Sequence, residues 1–274
     1  VIDESHCISQ WGYDFRPSYM KIADIREQLP DIPVLALTAT ATPEVVNDIQ
    51  ERLHFKEKNV FRKSFVRKNL SYIVRRTEDK INSLPYIRGK VPGTAIVYVR
   101  NRKRTKEVAT LLREAGISAD FFHAGLNRDE KNLRQSRWKN NECRVIVSTN
   151  AFGMGIDKPD VRLVVHLDMP GSLEECYQEA GRAGRDEQRA YAVALCSNTD
   201  TTKLKKRLAD EYPDREFISR VYDALGNYYQ IAVGFGLDTV HDFSLIDFCS
   251  AYKFSHLQAH HALKILELAG YKPF

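Results

Sequence analysis

A chain of 274 residues with 43% apolar and 28% charged side chains has the size and composition of a globular protein of two ordinary domains, which excludes intrinsic disorder. The net charge of +5, from 41 basic and 36 acidic groups, permits a polyanionic partner without arguing for one. No run of about 18 or more apolar residues occurs, so a spanning helix is excluded, and five scattered cysteines (Cys7, Cys143, Cys176, Cys196, Cys249) without a Cys-x-x-Cys pair fit reduced thiols in a cytosolic chain and offer no zinc signature.

In chain order, Val1 and Ile2 read as the end of a buried strand, with Asp3-Glu4-Ser5-His6 at its carboxyl end. An acidic pair in that place is where nucleotide-hydrolysing enzymes hold Mg²⁺ and aim a water. The polar stretch 7–17 carries Trp11, Phe15 and Arg16, aromatic and guanidinium groups suited to stacking on bases and touching phosphates. Pro33–Leu37 is a short apolar run, expected as a strand buried on both faces. Thr42, Pro43 and Glu44 predict a capped helix start, with Val45, Val46, Ile49 and Leu53 at helical spacing. Asn59–Phe65 reads as another strand. Three strands are too few for a complete nucleotide-binding domain, and the only Gly-Lys pair, Gly89-Lys90, is followed by Val91 rather than Ser or Thr. The expectation is a fragment of a motor ATPase lacking its N-terminal part.

A second unit opens near Leu70. Apolar runs at Thr94–Val99, Ile117–Phe122, Arg144–Ser148, Leu163–Leu167 and Tyr191–Cys196 alternate with helical patterns at about 102–115, 127–139 and 172–184. That alternation predicts a parallel sheet covered on both faces, with ligands beyond the carboxyl ends of its strands. Two basic clusters, Arg100, Arg102, Lys103, Arg104 and Lys106, then Lys203, Lys205, Lys206 and Arg207, read first as solvated helix faces. After about residue 200, charged helices lead to Val221–Val233, Phe243–Tyr252 and His256–Leu268. These suggest the start of a winged helix, and a plain helical bundle explains the pattern nearly as well.

The ordered set Asp3-Glu4-Ser5-His6, the Trp11 loop, Leu37-Thr38-Ala39-Thr40-Ala41, Ser148–Asp157 and Tyr177-Gln178-Glu179-Ala180-Gly181-Arg182-Ala183-Gly184-Arg185-Asp186 resembles the RecQ family of superfamily 2 DNA helicases, strongly over residues 1–200. The resemblance implies an α/β fold of RecA-like parallel-sheet motor domains, the first one truncated. Residues 1–70 would be the remainder of the first domain and 71–200 the second. Residues 201–274 would be a helical linker and the start of a winged-helix-like segment with no zinc module, since only Cys196 and Cys249 lie near it. The activity implied is ATP-dependent 3′→5′ translocation on single-stranded and partly duplex DNA, in recombination and repair, with ATP and Mg²⁺ as cofactors.

By the same resemblance, Asp3 holds Mg²⁺ through water, Glu4 polarises the attacking water and His6 links the γ-phosphate to the facing domain. Gln178 and Arg182 approach the phosphates and Arg185 is the arginine finger. The two arginines, three apart on an expected helix, would face the same side. Thr38 and Thr40 couple hydrolysis to domain movement, while Asp157, after the turn at Gly155 in the nucleotide-binding or coupling set, approaches the ribose. Trp11, Phe15 and Arg16 sense single-stranded DNA, although Tyr13 replaces the histidine common there. Asn101, His123 and Thr149 match positions near the DNA strand, and Lys253, Lys264 and Lys272 would touch DNA phosphates. Two other classes stay open: a nucleic-acid-binding module that no longer hydrolyses ATP, and an RNA helicase of the same superfamily. The expected location is the bacterial cytosol or nucleoid.

Overall fold

The computed structural model describes residues 1–9, 16–152, 156–231 and 240–270. The chain divides into two compact units, Val1–Cys196 and Ser197–Phe274. No described helix is long and apolar enough to cross a membrane.

The first unit is organised around one fully parallel sheet of six strands: β1 (Leu70–Arg76), β2 (Thr94–Tyr98), β3 (Ala119–Phe122), β4 (Val145–Ser148), β5 (Val161–His166) and β6 (Ala190–Cys196), in the order β1-β6-β5-β2-β4-β3. The central β2 and β4 are buried along their whole length, which is why they read as unbroken apolar runs rather than as alternation. Their register pairs Ala95 with Val145 and Tyr98 with Ser148. Because side chains alternate across a sheet, the strands build two cores. Ala95, Val97, Val147 and Val165 pack on one face with Val108, Ala109 and Leu112. Ile96, Tyr98, Ile146 and Val164 pack on the other with Trp138, Phe152 and Ala180.

The covering helices are α4 (Lys80–Lys90), α5 (Arg102–Glu114), α6 (Arg128–Lys139) and α7 (Leu173–Ala180). Each starts at a side chain that accepts a hydrogen bond from the backbone three residues on: Asp79, Asn101, Asn127 and Ser172. In α6 the fully buried Trp138 donates Nε1–H to Ala95 O at 3.2 Å and meets Phe152 edge-on at 5.2 Å.

Ahead of this sheet stand the short α1 (Pro17–Met20) and α2 (Ile25–Gln28), then α3 (Pro43–Arg52). The Thr42 cap and Pro43 in the first helical turn are as the sequence predicts. Val45, Ile49 and Leu53 bury against Ile8.

Three expectations for this region fail. Val1 and Ile2 do not end a buried strand, since Val1 is 87% exposed and Ile2 makes only an isolated bridge. Pro33–Leu37 forms only an isolated parallel bridge, Ile2 to Ala36, and Leu35 and Leu37 are 51% and 43% exposed. Asn59–Phe65 is not a strand, and Phe61 is 88% exposed. Apolar sequence gives a buried strand only where ladder partners flank it, and none does among the described residues.

The second unit holds α8 (Asn198–Glu211), α9 (Arg215–Tyr228), α10 (Leu245–Tyr252) and α11 (His256–Leu268). Val221, Leu225, Phe248, Ala259 and Leu266 form its core, and α11 returns to α8 through His261 Nδ1, 2.9 Å from Asp210 O.

Candidate functional site

The first cluster lies where the Ile2–Ala36 bridge ends. Ile2 and residues 35 and 37 exchange backbone hydrogen bonds, and Ser5 N–H donates to Leu37 O, so the acidic pair and the threonine segment leave the bridge side by side. Glu4 takes a left-handed backbone (φ 51°, ψ 39°), which costs a non-glycine residue roughly 1–2 kcal/mol. That turn buries His6 completely, with its Nδ1 3.0 Å from Thr38 Oγ1 and 3.5 Å from Glu4 Oε2. Thr38 Oγ1 also accepts from Thr40 N–H at 3.3 Å. His6 thus hydrogen-bonds the threonine segment at Thr38 and lies within ion-pair distance of Glu4.

No group of three or more metal-ligating side chains occurs here among the described residues, so a divalent ion would be held through its waters by Asp3. Asp3 is exposed, and its Oδ1 accepts from the neighbouring Glu4 N–H at 2.9 Å. Hard cations bind such carboxylates while keeping several waters. The hydroxyls of Ser5 and Thr40 are buried beside it without a hydrogen-bond partner in the protein. Ser5 and Thr38 also line a cleft of ≈ 810 Å³ that reaches Phe65 and Tyr177.

The second cluster follows α7. The helix stops at Ala180, and residues 181–186 are consecutive turns, so the expected helix to 184 is four residues too long. The reason is Gly181 at the helix end and Gly184 at φ +64°. Arg182 and Arg185 are therefore presented by turns rather than by one helix face, and Gln178 is half-buried on α7 itself. Arg185 Nη1 donates to Ile156 O at 3.2 Å and meets Asp157 Oδ1 at 3.4 Å, which brings the expected finger and the expected ribose residue together.

Beneath these arginines lies a buried polar set that sequence reasoning missed. His166 Nε2 sits 3.0 Å from Glu179 Oε2 and stacks on the Tyr98 ring at 5.7 Å. Tyr98 donates to Phe152 O at 3.0 Å and also hydrogen-bonds the Arg182 side chain. Burial pushes the Tyr98 phenol well above its usual range and raises the Glu179 carboxyl, which the His166 hydrogen bond partly offsets. A tyrosine inside an apolar strand and a histidine at a strand end carry no spacing signal that would have found this set.

The third group sits at the carboxyl edge of the sheet. Asn101 follows β2, Thr149 follows β4 and His123 follows β3, and these three strands are neighbours. Asn101 Oδ1 is used as the α5 cap, accepting from Arg104 N–H at 2.7 Å, and Thr149 is 8% exposed. Burial, with Arg102 and Arg134 nearby, lowers the His123 pKa. Of the adjoining basic cluster, Arg104 pairs with Asp168 at 2.6 Å and Arg100 with Glu175 at 3.3 Å, and Arg102, Lys103 and Lys106 stay exposed.

Trp11, Phe15 and Gly155 lie outside the described residues, as does Lys272. The guanidinium of Arg16 lies 6.0 Å from the Tyr19 ring. Lys253 and Lys264 are exposed on the second unit.

The family profile described as the helicase conserved C-terminal domain matches residues 79–187. The chain is 45% identical over 215 residues to the RecQ-like DNA helicase blm-1 of Caenorhabditis elegans, covering 77% of this chain and 22% of that protein. It is 44% identical over 202 residues to the ATP-dependent DNA helicase RecQ of Bacillus subtilis (strain 168), covering 73% of this chain and 34% of that protein. The chain belongs to the RecQ family. The second of these relatives is named as an ATP-dependent DNA helicase, and the chain spans about a fifth to a third of the length of the two. Among solved structures, S. cerevisiae Dbp5 bound to RNA and ADP BeF3 aligns with a TM-score of 0.58 at 21% identity, over 76% of this chain and 55% of that one. At that identity the likeness shows the RecA-like fold alone.

Proposed function

We propose that this RecQ-family chain is part of an ATP-dependent 3′→5′ DNA helicase that couples ATP hydrolysis to movement along single-stranded DNA and to duplex unwinding, in recombination and repair. The observation that carries the proposal is the His6–Thr38 hydrogen bond at 3.0 Å, because it holds a histidine that lies 3.5 Å from the proposed water-polarising carboxylate against the segment expected to move with hydrolysis. A binding module that had lost hydrolysis would have no use for a buried histidine held between Glu4 and Thr38.

In this reading residues 1–70 are the remainder of a first RecA-like domain, 71–200 the second, and 201–274 a linker leading into a winged-helix-like segment without zinc. Asp3 would hold Mg²⁺ through water, and the ion would neutralise charge on the β- and γ-phosphates. Glu4 orients and deprotonates the attacking water, while His6 reports the γ-phosphate to Thr38 and Thr40. Arg182 and Arg185, assisted by Gln178, stabilise charge on the transferred group, and Asp157, after the turn at Gly155, approaches the ribose. Asn101, His123, Thr149, Arg16, Trp11 and Phe15 face the DNA strand, with Lys253, Lys264 and Lys272 on flanking phosphates. The proposed location is the cytosol or nucleoid.

The test is nucleic-acid-stimulated ATP hydrolysis by the complete gene product carrying this chain. Turnover should rise more with single-stranded DNA than with RNA, and Glu4→Gln should abolish the rise while nucleotide binding persists. The 274 residues by themselves contain no Gly-Lys-Ser/Thr loop to cradle the phosphates, so they should show no turnover above their own Glu4→Gln control. Equal stimulation by RNA, or full turnover in Glu4→Gln, would contradict the proposal.

A further inference from the structure

The turn that presents Arg182 and Arg185 is held from its backbone side by two residues that no motif singled out. Arg67 Nη2 donates to Ala183 O at 3.1 Å and Gly184 O at 2.6 Å, and its Nη1 reaches Gly181 O at 3.5 Å. Asn69 Nδ2 donates to Gly184 O at 2.7 Å and Gln188 O at 2.9 Å, while Asn69 O accepts from Ala190 N–H at 2.9 Å. Together the two side chains bind four carbonyls between residues 181 and 188.

The chemistry of this grip is specific. The last carbonyls of a helix and its following turn lack intrahelical donors, and they carry the negative end of the helix dipole. A guanidinium answers both, since it is always charged and spreads its donors in a rigid planar fork. An ammonium is a single point charge and does not span three carbonyls in one plane. Gly184 belongs to the same device: at φ +64°, a Cβ there would lie 2.6 Å from Asn69 Nδ2 and 2.9 Å from Ala190 Cβ. A side chain at 184 would push Asn69 off the turn.

The placement of the two residues in the chain adds to this. They immediately precede β1, whose Leu70 is in register with Ala190 of β6. Two residues before Arg67, the Phe65 ring meets Tyr177 of α7 edge-on at 5.6 Å, and Phe65 O accepts from Tyr177 O–H at 3.2 Å. Residues 65–69 thus run along α7 and its turn, and they form the covalent path from the carboxylate segment into the sheet.

We propose that Arg67 and Asn69 are positioning residues for phosphate chemistry: by fixing the Gly181–Gly184 backbone they set where Arg182 and Arg185 point. The inference rests on the reading that these arginines serve ATP hydrolysis.

The test is steady-state ATP hydrolysis by the complete gene product on saturating single-stranded DNA, for Arg67→Ala, Arg67→Lys, Asn69→Asp and Arg185→Ala, with thermal melting of the same samples. Displacing the turn by roughly 1 Å should lower kcat by about 10²-fold, with KM for ATP and the melting temperature little changed. Arg67→Lys should fail to restore turnover although it keeps the charge, and if Arg67→Ala does not fold, Arg67→Lys and Asn69→Asp decide the matter. Wild-type kcat in Arg67→Lys overturns the inference, because a charge at the helix end would then suffice. A loss of kcat matched by a loss of melting temperature in every variant overturns it too, since the role would be structural. Wild-type turnover in Arg67→Ala beside an inactive Arg185→Ala overturns this inference alone, whereas wild-type turnover in both overturns the underlying reading as well.

Discussion

At the residue scale, the clearest electrostatic commitment is Asp186, one residue past the expected finger. Arg162 Nη2 meets its two carboxylate oxygens at 2.5 and 2.6 Å, and Gln188 N–H adds a third bond at 3.1 Å. The Arg162 hydrogen bond is the main reason the carboxyl titrates below its usual range. A carboxylate depressed by folding contributes stability above its unfolded pKa of about 3.8, and that stability is lost as pH falls through the lowered folded value. Asp186→Asn should therefore lower the denaturant midpoint at pH 7 and lower it much less near pH 3. An equal deficit at both pH values would show that packing, not charge, holds this pair. Nearby, the Glu179 carboxyl is shifted the other way by burial. Two acids that flank the arginine turn in sequence are thus shifted in opposite directions, one by an arginine and one by burial.

At the element scale, the sheet depends on its two helical covers, and Trp138 is the largest fully buried side chain among them. Replacing a buried tryptophan by alanine costs about 3–5 kcal/mol through lost burial and the cavity left behind. Trp138→Ala should show that loss in urea unfolding, and a change below about 1 kcal/mol would mean the α6 face repacks. The inner strands β2, β4, β5 and β6 were legible because a strand paired on both sides and covered on both faces reads as a largely apolar run, and the edge strand β3 was legible because it stays mostly buried. β1 was not, since an edge strand tolerates exposed Tyr72, Val74, Arg75 and Arg76. Helix α4 was hidden by Pro85, which removes an interior N–H, and by Gly89, yet Asp79 still caps it. The runs at 33–37 and 59–65 misled for the converse reason, because apolar composition predicts burial and says nothing about whether a partner strand is there. Within the site, Asp3, His6 and Thr38 were legible from motif order. Arg67, Asn69, Tyr98 and His166 were not, because bonds to backbone carbonyls and buried side chains leave no periodic trace.

At the scale of the whole molecule, the first unit carries the three candidate groups on one scaffold. The acidic pair and the threonines sit beyond the Ile2–Ala36 bridge, the arginines follow α7, and the polar trio lies at the carboxyl edge of β2, β4 and β3. Parallel sheets present ligand-binding loops at that edge because every strand ends there in the same direction. The second unit adds a separate helical core whose exposed Lys253 and Lys264 are the places to look for further DNA contacts. The central claim is that this RecQ-family chain supplies the arginine turn that drives ATP hydrolysis. Single-turnover hydrolysis by the complete gene product on saturating single-stranded DNA, wild type against Arg185→Ala, tests it most directly. The account predicts a rate loss on the order of 10³–10⁵ with nucleotide affinity nearly intact; a loss of less than about tenfold would contradict it.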